Sequence, residues 1–549
     1  MSTAPSTATV AAVLLLACFA LLMTAPVAGN FSNSDAPRHA LNGLFVRDFL
    51  AAHPLHNPAG WAIDYYLKRP ALTILFYPPL FYGVEAIAFT LFGFSHIVAQ
   101  SIIASYMLLL AVSSYGLARQ LLPRWSALGA ALLVIGMPET ANWGRQVMLD
   151  IPAYSLIVTS AWCLSLYIRF NRPHTIYLAG AFLLAAIYTK YNSGFVAPAL
   201  AAGFFTARGR QGFRDRHALI AVALVALGMV PVAFLILKYG SRNLESVSGF
   251  AGMLPLNSLD CWLFYLRALP GQIGLVPLAL AAGGLIPLVM RTRRKAPNEA
   301  GESGAGQNWL AVLLLVWLAV GYLFYSLISL KETRDTIMVF LPLAFAAPLF
   351  LYQLLPKNFG EFAGLALGVS TLAYTLLIYP VMRVDGYREV ASYLAMHAPD
   401  DGLVAYFGYR DANLIFDLSD IPARNDIAVV RIDKLLLSAP VGDQRRGVKQ
   451  VNYTEAGLAE MLRGSGVSYF VAQPGFWSEF EVMARFDRII HGPDYEKVAH
   501  FDITGDLSTQ DGVGGVDIFR PTYPVNKKSA PVSIDMPFLG QRFVGTPGK

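Results

Sequence analysis

Pro78-Pro79-Leu80-Phe81-Tyr82-Gly83-Val84-Glu85-Ala86-Ile87-Ala88-Phe89-Thr90-Leu91-Phe92-Gly93 is the stretch on which the topology turns. It is apolar enough to be taken for a membrane span. It also opens on two prolines, is rich in aromatic rings and carries Glu85. These features suit a helix lying in the membrane interface, with Glu85 on its solvated face. On that reading the clusters Arg119/Arg124, Arg169/Arg172, Arg208/Arg210/Arg214/Arg216, Arg291/Arg293/Arg294/Lys295 and Lys357 fall on one side of the bilayer. Clustered Lys and Arg mark the cytoplasmic side. The N-terminus is then cytoplasmic, and the long loop 29–96 and the C-terminal residues lie outside. Residues 1–29 also read as a cleaved leader ending near Ala28, against which stands the lack of Lys or Arg before the apolar run.

Composition agrees with a membrane protein. Of 549 residues, 55% are hydrophobic and only 14% charged, whereas a soluble domain carries about 25% charged residues. The charge is unevenly placed. Residues 383–549 hold 18 basic and 22 acidic residues, a normal soluble density, while residues 1–382 hold 24 and 14. The chain therefore reads as a membrane module, 1–382, followed by an outer domain, 383–549. The positive excess sits in membrane loops, where it sets orientation and does not point to nucleic acid. Cys18, Cys163 and Cys261 lie inside apolar runs and form neither a disulfide framework nor a zinc spacing.

A span needs about 20 apolar residues. Besides 78–93, eleven stretches qualify: 8–28, 97–118, 124–142, 150–169, 175–190, 193–207, 218–238, 261–290, 309–330, 336–355 and 359–381. The run 193–207 is short enough to be re-entrant, and 261–290 is broken by Pro270-Gly271. The expected fold class is an α-helical polytopic membrane protein with about eleven transmembrane helices, amphipathic outer-face helices and a small C-terminal α/β domain. Apart from Arg267, span interiors carry no Asp, Glu, Lys or Arg. Ion-coupled transporters usually place such groups at midplane, so a transporter is disfavoured.

Polar chemistry gathers instead on the outer face. Asp35 opens an amphipathic helix in loop 29–96 with Pro37 in its first turn. A second Asp-X-Pro, Asp150-Ile151-Pro152, follows Arg145 at another outer helix start. Lys68-Arg69, Lys190-Tyr191, Lys238, Arg242 and Lys331-Glu332-Thr333-Arg334 also lie at outer ends. Two carboxylates among cations suit a lipid-linked phosphate and a proton acceptor. Each also has an ordinary structural role: Asp caps helices, Pro occupies first turns, and Lys-Tyr anchors at interfaces. On spacing alone the capping role is the commoner one for both aspartates. His39, His53 and His56 share the first loop without diagnostic metal-ligand spacing.

Four segments resemble the polytopic C-type glycosyltransferases that use polyprenyl-phosphate sugars. The closest likeness is to the bacterial aminoarabinose-transferase and protein-mannosyltransferase-like group, including the Rgt-type lipopolysaccharide-core transferases. The segments are Asp35-Ala36-Pro37-Arg38-His39-Ala40, Tyr77-Pro78-Pro79-Leu80-Phe81-Tyr82 through Leu91-Phe92-Gly93, Arg145 through Pro152, and Thr189-Lys190-Tyr191-Asn192-Ser193-Gly194. They resemble, in order, that family's Asp-Glu-X-X-Tyr-Ala, its Lys-Pro-Pro-Leu-X-Tyr helix ending in Leu-Phe-Gly, its second acidic motif and its Thr-Lys-X-X-X-Gly. The likeness runs over about 29–345. Two departures stand out: Ala36 replaces the family's Glu and Tyr77 its Lys.

The resemblance implies inverting transfer of a sugar from a polyprenyl-phosphate donor to a lipid, glycan or protein acceptor at the outer face of a bacterial inner membrane. It implies Asp35 as base, with Asp150 holding the acceptor or orienting a cation. The donor phosphate is expected on Arg145, Lys190 and Arg334, with Lys68 or Arg69 replacing the cation lost at Tyr77. Tyr77, Phe81 and Tyr82 are expected to line an isoprenoid groove. No obligatory cofactor or metal is expected, a divalent ion being left open. A lipid-linked glycan ligase, polymerase or flippase, and a non-catalytic scaffold, are the competing readings.

Overall fold

The computed structural model describes residues 5–247, 253–293, 308–438, 448–506, 514–526, 531–536 and 541–547. Arg294, Lys295 and the side chain of Arg242 lie outside the described residues. Among these residues, six helices are long and apolar enough to span: His96–Ala118, Asp150–Phe170, Arg216–Ser241, Leu275–Thr292, Asn308–Ser326 and Lys357–Ile378. The 3-10 turn Thr333–Val339 and the helix Leu341–Leu354, bent by 55°, make a seventh if joined. Thr7–Met23, Arg124–Gly136 and Pro173–Ile187 are shorter apolar helices. At 1.5 Å per residue a 13-residue helix rises roughly 20 Å, less than the ~30 Å hydrocarbon core. Length therefore accounts for six or seven of the eleven expected spans. The run 261–290 breaks at Gly274, φ 94°, and not at Pro270, which sits inside Leu259–Ile273. A residue without Cβ adopts that left-handed turn freely.

Small residues allow close helix contacts. A Cβ on Gly129 would lie 2.0 Å from the Gly364 carbonyl oxygen, and one on Gly368 would lie 2.2 Å from that of Gly129. The helices Arg124–Gly136 and Lys357–Ile378 thus meet backbone to backbone, the means by which helices associate where lipid removes the hydrophobic drive.

Pro79 precedes the helix Leu80–Phe92 of the opening stretch. Its outward face bears Ile87, Leu91 and Phe92. Its inward face packs on the helix Ala36–Ala52. Glu85 belongs to that inward face, a correction to its expected solvation. It is fully buried, and neither carboxylate oxygen has a partner among the described residues. Burial pushes this carboxyl well above the usual range, so it is held neutral.

The C-terminal domain, the outer domain expected from the sequence, opens with the helix Tyr387–His397 and carries a five-stranded mixed sheet. Its order is Ala428–Arg431, Leu403–Phe407, Val467–Ala472, Val516–Pro521 and Tyr495–Phe501. The first three strands run parallel, and Val516–Pro521 is antiparallel to both its neighbours, Val467–Ala472 and Tyr495–Phe501. The residues after Pro524 include the antiparallel strands Val532–Met536 and Gln541–Gly545. Ile534 and Phe543 are buried, the latter with its ring centroid 6.0 Å from that of Tyr66. The strand Gln541–Gly545 thus packs against the helix Pro58–Lys68, and Val532–Met536 against Ile432–Leu436.

Candidate active site

Three helix ends and one turn converge at the start of the helix Ala36–Ala52. Asp35 precedes that helix, but its side chain makes no capping hydrogen bond. Its own amide is instead met by Asn33 Oδ1 at 2.8 Å. The carboxylate is 42% exposed and lies 3.5 Å from the Arg334 guanidinium. Asp35 is therefore not consumed by the ordinary capping role.

Asp150 is the first residue of Asp150–Phe170, where the helix dipole favours an anion. It is buried and accepts from Lys190 Nζ at 2.7 Å. Lys190 also reaches Asp335 Oδ1 at 3.2 Å. Asp335 went unnoticed in the sequence although it directly follows Arg334 in the same turn. Arg334 is held from three sides. Glu332 pairs with its Nε, Asp35 faces its terminal nitrogens, and its guanidinium carbon sits 5.4 Å from the Trp143 ring centroid. Glu139 accepts from Trp143 Nε1 at 3.0 Å and from Thr333 Oγ1 at 2.6 Å, tying the turn to the second acidic segment. The result is two triads of alternating charge, Asp150–Lys190–Asp335 and Asp35–Arg334–Glu332, buried at Asp150 and Lys190 and open to water at Asp35 and Glu332. Buried charges persist when paired in this way.

His39, one turn after Asp35, is buried with Nδ1 3.1 Å from the Tyr82 hydroxyl. Burial lowers it to about 4, with Asp35, Arg334, Asp150 and Lys190 in electrostatic reach, so the ring is neutral near pH 7. Tyr77 stands within reach of the same four groups, and its ring centroid is 5.6 Å from that of His39. It belongs to the charged cluster, not to a groove apart from it. Phe81 and Tyr82 are fully buried, Tyr82 against His39 of the Asp35 helix and Phe81 with its ring centroid 6.1 Å from that of Tyr106, so neither lines an open groove.

Two expected phosphate ligands lie elsewhere. Arg145 is buried and gives its guanidinium to the carbonyls of Ala141 at 3.0 Å and Tyr379 at 2.7 Å, and to Thr24 Oγ1 at 3.5 Å. It braces the first helix and the exit of the last span. Lys68 is partly buried beside Arg69, Asp426 and Asp401, facing the outer domain. Arg69 Nη2 donates to Asn425 Oδ1 at 2.7 Å. Neither residue is a partner in the Asp35–Lys190 cluster. Lys331 is likewise spent on the Tyr325 and Ser326 carbonyls, at 3.0 and 2.9 Å. Among the described residues no group of three or more His, Cys, Asp or Glu side chains is placed to hold a metal ion. His39 is buried, while His53 and His56 are exposed.

A family model described as dolichyl-phosphate-mannose-protein mannosyltransferase matches residues 77–234, which include Asp150 and Lys190. In fold the chain is similar to ArnT from Cupriavidus metallidurans. The apo form superposes with a TM-score of 0.60 at 15% identity, covering 92% of this chain and 100% of that one. The form bound to undecaprenyl phosphate gives 0.59 at 14%, covering 91% and 99%. The chain has the C-type glycosyltransferase fold. The arabinofuranosyltransferase AftD from Mycobacteria shares this C-type fold at a TM-score of 0.53 and 16% identity, with 97% of this chain aligned to 41% of that one. No curated protein sequence matches. A multi-pass C-type glycosyltransferase module with a strand-containing outer domain is thus the architecture on which the Asp35–Lys190 cluster is displayed.

Proposed function

We propose that the protein is an inverting glycosyltransferase that moves a sugar from a polyprenyl-phosphate donor to an acceptor at the outer face of the membrane. The observation that carries this reading is the Asp35 carboxylate, uncapped and accessible, facing Arg334, with the Asp150–Lys190 pair in electrostatic reach of the same His39 and Tyr77 side chains. ArnT, similar in fold along almost its whole length, has been captured with undecaprenyl phosphate. That likeness supports a lipid phosphate as part of the donor.

In the proposed step an acceptor hydroxyl attacks the anomeric carbon. Its O–H proton passes to Asp35 as the new C–O bond forms. The bond from the anomeric carbon to the phosphate oxygen breaks, and polyprenyl phosphate leaves with the electron pair. A free carboxylate near pKa 3.9 is too weak to deprotonate an alcohol in the ground state. Taking the proton in the transition state is typically worth ~10²–10⁴-fold. Arg334 and Lys190 supply fixed positive charge for the departing phosphate, in a site buried at Lys190. Asp150 and Asp335 hold Lys190 in place.

Purified protein, a panel of polyprenyl-phosphate sugars and a membrane extract as acceptor source test this. One donor should yield a glycosylated product of opposite anomeric configuration by NMR, and activity should persist in EDTA. Retained configuration would overturn the inverting step. Absence of product with every donor, from folded protein, would overturn the transferase reading. Loss of activity in EDTA restored by a divalent ion would replace the two cations as the phosphate's main counter-charge.

A further inference from the structure

Asp35 is poorly restrained from the membrane side, with no capping bond and Arg334 at the limit of hydrogen-bond range. The chain on either side of it is held tightly, and by the outer domain. Upstream, Asn30 Nδ2 donates to Asp417 at 2.5 Å, while its Oδ1 accepts from the Tyr387 amide at 3.1 Å. Phe31 exchanges two bonds with Asn413, N to Oδ1 at 3.3 Å and O from Nδ2 at 3.0 Å. Its ring lies 4.0 Å from His96 and 4.8 Å from Phe416. Arg410 donates to the Ser32 carbonyl at 2.6 Å. Downstream, Arg38 Nη2 meets Asp411 Oδ1 at 2.7 Å, and Nη1 donates to the Ala71 carbonyl at 3.3 Å. Asp411 Oδ2 is held in turn by Arg431 at 2.7 Å. One short helix of the outer domain, Asp411–Ser419, with Arg410 before it, thus grips residues 30–32 and residue 38.

We infer that Asp411 is a positioning residue for the Asp35 base, acting through Arg38, and that the outer domain sets the entry angle of the helix Asp35 precedes. The inference rests on the reading of Asp35 given above. Asp411 is nearly buried between two guanidinium groups, so its geometry is fixed by charge on both sides. Arg38 lies one turn from Asp35 on a rigid element, so a shift of Arg38 carries the carboxylate with it. Misplacing a reacting group by about 1 Å can cost ~10²-fold in rate.

Asp411→Asn, Arg38→Ala and the double variant test this against Phe486→Leu, which loosens the same domain from its core, away from the first loop. Turnover by purified protein is measured over donor concentration, together with the melting temperature. Asp411→Asn should lower kcat about ten- to hundredfold with the donor KM within about twofold. The double variant should be no worse than the poorer single one, because the residues act as one unit. Phe486→Leu should melt lower while kcat stays within about twofold. A kcat for Asp411→Asn near wild type overturns the inference, as does activity that tracks melting temperature alike in Asp411→Asn and Phe486→Leu. Full activity in Asp35→Asn would instead overturn the assignment of the base, a distinct result.

Discussion

At the residue scale the site is an exercise in which charges are already spent. Arg145, Lys68 and Lys331 each read as a free outer cation, and each is committed to carbonyls or to the outer domain. Asp35, Asp150, Lys190 and Arg334 come together from positions as far apart as 299 residues. Their common side of the membrane is legible in the sequence, because outer helix ends can be counted. Which cation pairs with which carboxylate is not, because that depends on rotamers and packing. His39 shows the same limit: nothing in its spacing distinguishes it from His53 and His56, yet only His39 is buried. Its consequence is testable. Burial lowers His39 to about 4 from the usual 6.5, so its contribution to stability is complete above pH 6.5 and lost as pH falls through 4. Melting temperature should therefore drop more steeply between pH 6.5 and 4 for wild type than for His39→Gln; parallel slopes would refute a buried neutral imidazole. The Lys190 pair carries a larger stake. Lys190→Ala leaves Asp150 buried without that partner, a loss of ~3–5 kcal/mol in comparable pairs, and should abolish turnover; an active Lys190→Ala protein would remove Lys190 from the phosphate site.

At the scale of elements, the helix in 78–93 and its start at the two prolines were readable from the sequence. The direction of its polar residue was not. Glu85 faces inward because Gly43 opposite it lacks a side chain: a Cβ there would lie 2.5 Å from Glu85 Cβ and 2.6 Å from Oε2. A one-residue stretch cannot reveal the gap that a facing helix leaves for it. Gly43→Ala should therefore push the two helices apart and destabilise the protein by about 1–3 kcal/mol, read as a fall in melting temperature in detergent. Gly368→Val, which would drive a branched side chain into the Gly129 carbonyl, should be more severe, since backbone cannot rotate away as a carboxylate can. Wild-type stability in both variants would contradict the close approaches described here.

At the scale of the whole molecule, two composition regimes correspond to two structural regimes, a helical membrane module and a sheet-bearing outer domain. Charge density is enough to see that division, because a lipid-facing surface tolerates few charges. What the regimes do to each other is invisible in composition. The first outer loop is shared property: its helix carries Asp35 towards the membrane cluster while its flanks are gripped by Asp411–Ser419. The C-type glycosyltransferase fold, the uncapped aspartate and the paired cations together point to one central claim, transfer from a lipid-phosphate sugar with Asp35 as the proton acceptor. The most direct test is release of polyprenyl phosphate, quantified by mass spectrometry, from wild type and Asp35→Asn with the same donor and acceptor source. Wild type should release it, and Asp35→Asn at least about 10²-fold less; equal release by the two proteins would contradict Asp35 as the proton acceptor.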